Sequence, residues 1–230
     1  PETGESIICI LVVLIFSPIS FASCGFIVDV KMITLFSARL FTKPLSPKII
    51  SFSSGGKLEE FSKKNDISYF KVSKFHSPRA SFTSFLYTIL GVLEDILPIN
   101  KNEIEESLKF LEETKNKISS ENLTGTNTSL DIAKWISDIP IIYYPWGLQS
   151  TAIRFKNSMQ ENAKTHVIAE DVIETCHNGI VAWNKPNKFQ PILLQGKDDH
   201  IKTKERWKII KEFFQEKDIK YKEIFSPNGN

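Results

Sequence analysis

The sequence predicts an α/β protein in which parallel sheets are flanked by helices. Three observations carry this expectation. Short apolar runs alternate with longer segments of helical periodicity over most of the 230 residues, the pattern of β-α-β units. Ile7–Phe16 is an unbroken run of ten apolar residues; a lipid span needs roughly twenty, and a strand buried in a parallel sheet reads as such a run. Glu103–Ile118 and Lys202–Glu216 each set an apolar stripe against charges, as surface helices of a layered fold do.

The elements follow in order. Pro18 ends the first run. Lys48–Phe52 reads as a strand, Ser53-Ser54-Gly55-Gly56 as a turn, and Lys57–Lys64 as a helix. Ser68–Val72 is a further strand. Ser77-Pro78-Arg79 then opens a helix, since proline suits a helix entry. Ala80–Leu97 is apolar nearly all round, through Phe82, Phe85, Leu86, Ile89 and Leu90, and predicts a helix buried on most sides. Pro98 stops it. Glu103–Ile118 places Ile104, Leu108, Leu111 and Ile118 on one face. The polar stretch Ser119–Thr128 reads as a loop, and Ser129 as the cap of a short helix. These signals place a domain boundary in the Ser119–Thr128 loop or just before it, dividing residues 1–118 from 119–230. In the second half, Ile139–Tyr144 is a strand, Pro145-Trp146-Gly147 a turn, and Leu148–Lys164 a helix. Periodicity breaks down around Cys176-His177-Asn178. Pro191–Gln195 is a strand, Lys202–Glu216 a helix burying Trp207, Ile210 and Phe213 or Phe214, and Lys220–Phe225 a last strand.

Composition limits the function classes. The chain is 41% hydrophobic and 24% charged, ordinary for a soluble globular protein. A net charge of +2 argues against nucleic acid and against an anionic membrane as partners. Cys9, Cys24 and Cys176 are odd in number and lack metal-ligand spacing, so reduced thiols in a cytoplasmic protein are expected. The four histidines are scattered, so no zinc signature exists. Asn122-Leu-Thr and Asn127-Thr-Ser match the N-glycosylation pattern, but nothing else in the sequence suggests secretion. The first residue is Pro1, not Met, which reads as a fragment, and Phe21-Ala22-Ser23-Cys24 bears only a loose likeness to a lipoprotein cleavage site.

Chemistry in an open parallel sheet sits at the carboxyl ends of strands, so the turn Pro145–Gly147 is one place for an anion at a helix start. Glu161 is three residues from Lys164, and the two can pair on one helix face as a surface salt bridge. Glu161 and His177, sixteen residues apart, are candidates for general acid–base work. Arg79, after Pro78 at a helix start, is a candidate anion holder.

Taken together, these segments resemble a known family. Arg154-Phe-Lys-Asn-Ser-Met-Gln-Glu161-Asn162-Ala-Lys164, then Glu174-Thr-Cys-His177-Asn178 and Val181-Ala-Trp183, are similar to the bifunctional phosphoglucose/phosphomannose isomerases of archaea and bacteria. Ser53-Ser54-Gly55-Gly56-Lys57-Leu58 and Ser77-Pro78-Arg79-Ala80 resemble two further motifs of that family, in the expected order. The resemblance runs from about Ile49 to Phe225. It implies two sugar isomerase (SIS) domains of flavodoxin-like three-layer build, here an incomplete first and a second, in a homodimer that uses no metal or other cofactor. It implies a sugar phosphate substrate: glucose or mannose 6-phosphate, interconverted with fructose 6-phosphate through a cis-enediol. Glu161 would shuttle the proton, His177 would assist ring opening in the neighbouring subunit's site, and Arg79 would stabilise the enediolate. Ser54, Gly55 and Asn162 would bind substrate. The chain departs from the family in four places, one of them the P-E approach, where Val172-Ile173 stands in place of the proline. It has no G-x-G-G-S loop. It carries Ile27–Thr34 where the S-x-S-G-N-T segment is expected, within a divergent stretch 1–40. It stops at Asn230, before the family's last helices. Binding energy from a phosphate helps drive chemistry elsewhere on the sugar. A chain lacking that cradle is expected to be a poor catalyst alone, and a non-catalytic sugar-phosphate-binding or dimerisation module, or an inactive fragment, is the alternative reading.

Overall fold

The computed structural model describes residues 10–14, 48–75, 78–95, 97, 98 and 100–226, with residues 10–14, 48, 78 and 79 described by their backbone only. The chain divides into two compact units, Pro1–Ile99 and Asn100–Asn230, described separately below. The stretch resembling a lipoprotein cleavage site, Cys9, Cys24 and Ile27–Thr34 lie outside the described residues.

The first unit holds a three-stranded sheet, β1 (Ile10–Leu14), β2 (Lys48–Ser53) and β3 (Ser68–Lys71), in that spatial order and all parallel. Parallel neighbours need a crossover, and α1 (Lys57–Lys64) supplies the one between β2 and β3. The buried Ser51 and Ser62 hydroxyls meet at 2.8 Å and tie α1 to β2. Phe52, Val72 and Phe85 form the core, with Phe70 stacked on Phe52 at 5.7 Å. The chain enters α2 (Phe82–Val92) through a tight 3-10 turn, Pro78–Ser81, so the helix is shorter than the apolar stretch 80–97 suggests. It is also less buried than expected: Phe85 is covered, whereas Phe82 and Leu86 are exposed. Composition reports how apolar a helix is, not how many of its sides find a partner.

The second unit begins with α3 (Lys101–Lys117), capped by Asn100, whose side chain accepts from the Asn102 amide. Its stripe is placed as expected, yet Leu108, Leu111 and Ile118 are exposed. The following helix, α4 (Thr128–Trp135), is capped by Asn127 and not by Ser129, which lies inside the helix. Asn127 is buried; its Oδ1 accepts from Leu130 N at 3.0 Å, and its Nδ2 donates to Asn122 O at 2.8 Å and Ser119 O at 3.3 Å. One side chain therefore caps a helix and closes the loop before it. Asn127→Ala is expected to cost about 1–3 kcal/mol, through the lost cap and the two lost Nδ2 hydrogen bonds that close the loop. An unchanged urea midpoint would contradict this.

Four parallel strands follow, ordered β5-β4-β6-β7. They are β4 (Ile139–Tyr144), β5 (Ile168–Asp171), β6 (Phe189–Gln195) and β7 (Lys222–Phe225). Alternate residues of a strand face opposite sides of its sheet. Ile141 and Tyr143 accordingly join one core with Leu193, Trp207, Ile210 and Phe214. Ile142 and Tyr144 join the other with Ile192, Leu194, Ala152 and Val167. Helices α6 (Val172–His177) and α7 (Ile201–Glu216) cover the first face; α4 and α5 (Gln149–Ser158) cover the second. The result is the expected three-layer α/β arrangement, with its sheet covered on both sides. Gln190 latches the approach to β4: its Oε1 accepts from Ser137 N and Asp138 N, both at 2.7 Å, and its Nε2 donates to Trp135 O.

Three elements differ from the sequence reading. β5 and α6 occupy the stretch where periodicity fails. A four-residue strand ending in Glu170-Asp171 and a six-residue helix are both too short to show a period. The single helix expected over Leu148–Lys164 stops at Ser158 and widens into a π turn, Met159–Ala163.

Candidate active site

In an open parallel sheet the ligand crevice lies where the strand order reverses. Here that point falls between the carboxyl ends of β4 and β6. The first contributes Pro145-Trp146-Gly147, with Gly147 at φ 97 and Trp146 90% exposed, and α5 begins there without a side-chain cap. The second contributes Gly196–His200. Beside it a cleft of about 440 Å3 opens toward the end of β7, lined by Lys197, Asp199, Lys204, Trp207 and Phe225. Asp199 Oδ2 accepts from the Trp207 indole at 3.0 Å and from Gly196 N at 3.1 Å. A Cβ on Gly196 would lie 2.7 Å from Asp199 Oδ1, which explains the glycine. Sequence reading did not single these residues out; Gly-x-x-Asp after a strand is too common a pattern.

Glu161 lies in the π turn, a widened helical turn of the kind often found at functional sites. Its surroundings are specified by side chains bonded to main-chain carbonyls: Asn162 Nδ2 to Ser158 O at 2.9 Å, Lys164 Nζ to Glu161 O at 2.7 Å, and Thr165 Oγ1 to Ala163 O at 3.3 Å. Lys164 lies beyond the turn at φ 58 and ψ 27. A left-handed residue of this kind costs about 1–2 kcal/mol. The expected side-by-side pairing of Glu161 and Lys164 on a helix face is therefore replaced: the lysine leaves the helix, and its ammonium turns back onto the main chain of Glu161. Glu161, Asn162 and Lys164 are all exposed.

His177 closes α6 and is exposed. Asp171 caps that helix, its Oδ1 accepting from Ile173 N at 2.7 Å, and the buried Thr175 hydroxyl donates to Asp171 O at 2.8 Å. Asn178 Nδ2 donates to the Glu174 carboxylate. Gly179 follows because the Glu170 carboxylate sits 2.8 Å from where its Cβ would be. The chain continues into a 3-10 segment, Gly179–Asn184, pinned by Trp183, whose indole donates to the Tyr143 hydroxyl at 3.0 Å. Burial pushes the Tyr143 phenol well above its ordinary value; the Trp183 hydrogen bond offsets this slightly, and the Glu170 carboxylate adds to it. β5 and α6 lie between Glu161 and His177 along the chain, so each is positioned by different elements.

Cys176 is half-buried, and burial raises its thiol pKa, opposed by the Arg206 cation and aided by the Asp171 carboxylate. The thiolate is the reactive form. Iodoacetamide at mildly alkaline pH is expected to label Cys176 more slowly in the native chain than in urea, as peptide-level mass spectrometry reads it; equal rates would contradict the burial.

In the first unit, Ser54, Gly55 and Gly56 form the turn from β2 into α1, with Gly55 at φ 131 and Gly56 at φ 75. The Ser53 hydroxyl accepts from Gly55 N at 3.2 Å, and the Tyr69 hydroxyl donates to Ser53 O at 2.9 Å. The helix start thus follows directly from the carboxyl end of the sheet's middle strand, a position whose free amides can hold an anion. Lys63 hydrogen-bonds Glu59 at 2.6 Å and holds that half-buried carboxyl below its ordinary range. The Arg79 backbone lies in the Pro78–Ser81 turn; its side chain lies outside the described residues. Among the described residues, no group of three or more His, Cys, Asp or Glu is placed to hold a metal ion, and no helix is long and apolar enough to cross a membrane.

Fold and site together define an α/β protein with parallel sheets flanked by helices and strand-end crevices suited to a small polar ligand. A hypothetical protein from Thermus thermophilus shares this fold with a TM-score of 0.58 at 11% identity, covering 86% of this chain and 56% of that one. Residues 126–230 match the family described as the bacterial phospho-glucose isomerase C-terminal SIS domain. The bifunctional phosphoglucose/phosphomannose isomerase of Caldicellulosiruptor bescii is 29% identical over 195 residues, 78% of this chain and 55% of that protein. The enzyme of the same name from Aquifex aeolicus is 26% identical over 172 residues, 74% and 51% respectively. The chain thus spans about half the length of the curated relatives it matches.

Proposed function

We propose that the chain serves the aldose–ketose isomerisation of glucose 6-phosphate and mannose 6-phosphate to fructose 6-phosphate. The observation that carries this is the π turn presenting Glu161-Asn162-Ala163-Lys164, which lies inside the matched span 126–230 together with His177. In the proposed reaction His177 assists opening of the sugar ring. Glu161 then takes the proton from C2 of the open-chain aldose. The electron pair left behind forms the cis-enediol with the carbonyl at C1, and the Arg79 guanidinium offsets the negative charge as it develops. The hydroxyl proton on O2 passes to O1 while Glu161 returns its proton to C1, so the carbonyl forms at C2 and the product is the ketose. The Ser54-Gly55 turn receives the phosphate, and Asn162 contacts the sugar.

Glu161 and His177 are both exposed. That suits a site completed by another surface, and a homodimer in which His177 serves the neighbouring subunit's site would supply one. Closing it would exclude water from around the carboxylate, which favours proton transfer from carbon. A soluble, cytoplasmic setting fits the metabolic names of the relatives.

The test is a coupled assay that follows fructose 6-phosphate formed from each aldose, with Glu161→Gln as control. Turnover by the native chain and its loss in Glu161→Gln is the expected result. Equal rates in both proteins overturn the proposal. Thermal stabilisation by fructose 6-phosphate without turnover would instead assign a sugar-phosphate-binding module.

A further inference from the structure

We infer that Lys164 is the positioning residue for Glu161, its ammonium locking the turn that presents that carboxylate. The inference rests on the proposed role of Glu161 and adds a residue to it. A helix commonly ends on a left-handed residue, and glycine is the usual one because it has no Cβ to strain. Lysine stands here instead, at φ 58 and ψ 27, with its amino group returned 2.7 Å to Glu161 O.

The helix ends at this turn, leaving its last carbonyls without intrahelical partners, and side chains bond three carbonyls there. Asn162 serves Ser158 and Thr165 serves Ala163; Lys164 alone of these three serves Glu161 itself. The backbone bearing the carboxylate is thus clamped at its own carbonyl by a cation three residues on. The clamp lies in the open, since Lys164 is exposed. Exposed charged contacts add little to folding stability. The position of a catalytic group is far more sensitive, a misplacement of about 1 Å being able to cost on the order of 100-fold in rate.

The experiment uses the full chain as native protein, Lys164→Gly, Lys164→Met, Lys164→Arg and Glu161→Gln. Glycine accepts the left-handed backbone, so Lys164→Gly removes the ammonium without imposing strain. In the coupled assay, Lys164→Gly and Lys164→Met are expected to lose about 10- to 100-fold in kcat with KM changed less than about two-fold. Lys164→Arg, which keeps a cation within reach, is expected to recover most of that turnover, and the Tm of Lys164→Gly to equal or exceed that of the native chain, since glycine carries no left-handed cost. Native kcat in Lys164→Gly beside an inactive Glu161→Gln overturns the positioning role and leaves the base standing. A fully active Glu161→Gln removes the base itself. Hydrogen exchange supplies a readout that needs no turnover. Amides 161–165 are expected to exchange several-fold faster in Lys164→Gly and Lys164→Met than in the native chain or Lys164→Arg. Unchanged exchange in both overturns the clamp.

Discussion

Replacing Phe214 by alanine is expected to destabilise the second unit by about 3–5 kcal/mol, the range for deleting a buried phenyl ring. Phe214 is fully buried on α7. Its ring lies 5.2 Å from Trp183 in an edge-to-face arrangement, 5.8 Å from Tyr221 and 6.4 Å from Tyr143. Paired aromatics of this kind contribute about 0.5–1.5 kcal/mol beyond the area they bury. The cavity left by alanine would be bordered by three rigid rings, which collapse poorly, so the upper half of the range is expected. Phe214→Leu keeps most of the volume and should cost less than half as much. Urea unfolding followed by tryptophan fluorescence measures both. A loss under about 1 kcal/mol for Phe214→Ala would mean that the cluster is not packed as described. The effect also reaches the candidate site, because Trp183 anchors the segment that follows His177-Asn178.

The second large effect is chemical. Glu161→Gln is expected to lower kcat by about 100- to 10,000-fold, the usual contribution of a positioned general base. That corresponds to about 3–5 kcal/mol of barrier. Glutamine has nearly the same shape and keeps a polar tip in an exposed turn, so the unfolding midpoint should not move. Loss of turnover together with loss of stability would point to a structural cause and count against the base. A drop of less than about ten-fold would assign proton transfer to another group.

Much of the second unit was legible because its signals are long. Ile139–Tyr144 reads as a strand and is one; Trp207, Ile210 and Phe214 share the stripe that α7 buries. The short pieces were not legible. Ile168-Ala169-Glu170-Asp171 is too short to show a strand's alternation, and parallel pairing with β4, from Ile141↔Ile168 to Tyr144↔Asp171, makes it a strand. The π turn was hidden for a related reason. Met159 and Ala163 continue the helical period, and the widening depends on side-chain bonds to the backbone that periodicity does not encode. Asn127 was masked by Ser129, an equally good capping type two residues later; what decided between them was the loop that only Asn127 can close. The candidate site itself was readable only as a set of motifs. Nothing in the spacing of Glu161 and His177 announces a shared task, because a strand and a helix stand between them.

The all-parallel ladder also sets a schedule for biosynthesis. Ile142 pairs with Ile192, fifty residues further along the chain. A ribosome adds about 5–20 residues per second, so β4 waits several seconds for the strand that completes its central pairing. Throughout that interval Ile139–Tyr144, apolar on both faces, has only β5 and the neighbouring helices to cover it. Stalling within residues 172–188 would leave this strand open to wrong partners, and it is the segment on which a nascent-chain chaperone would be expected to act.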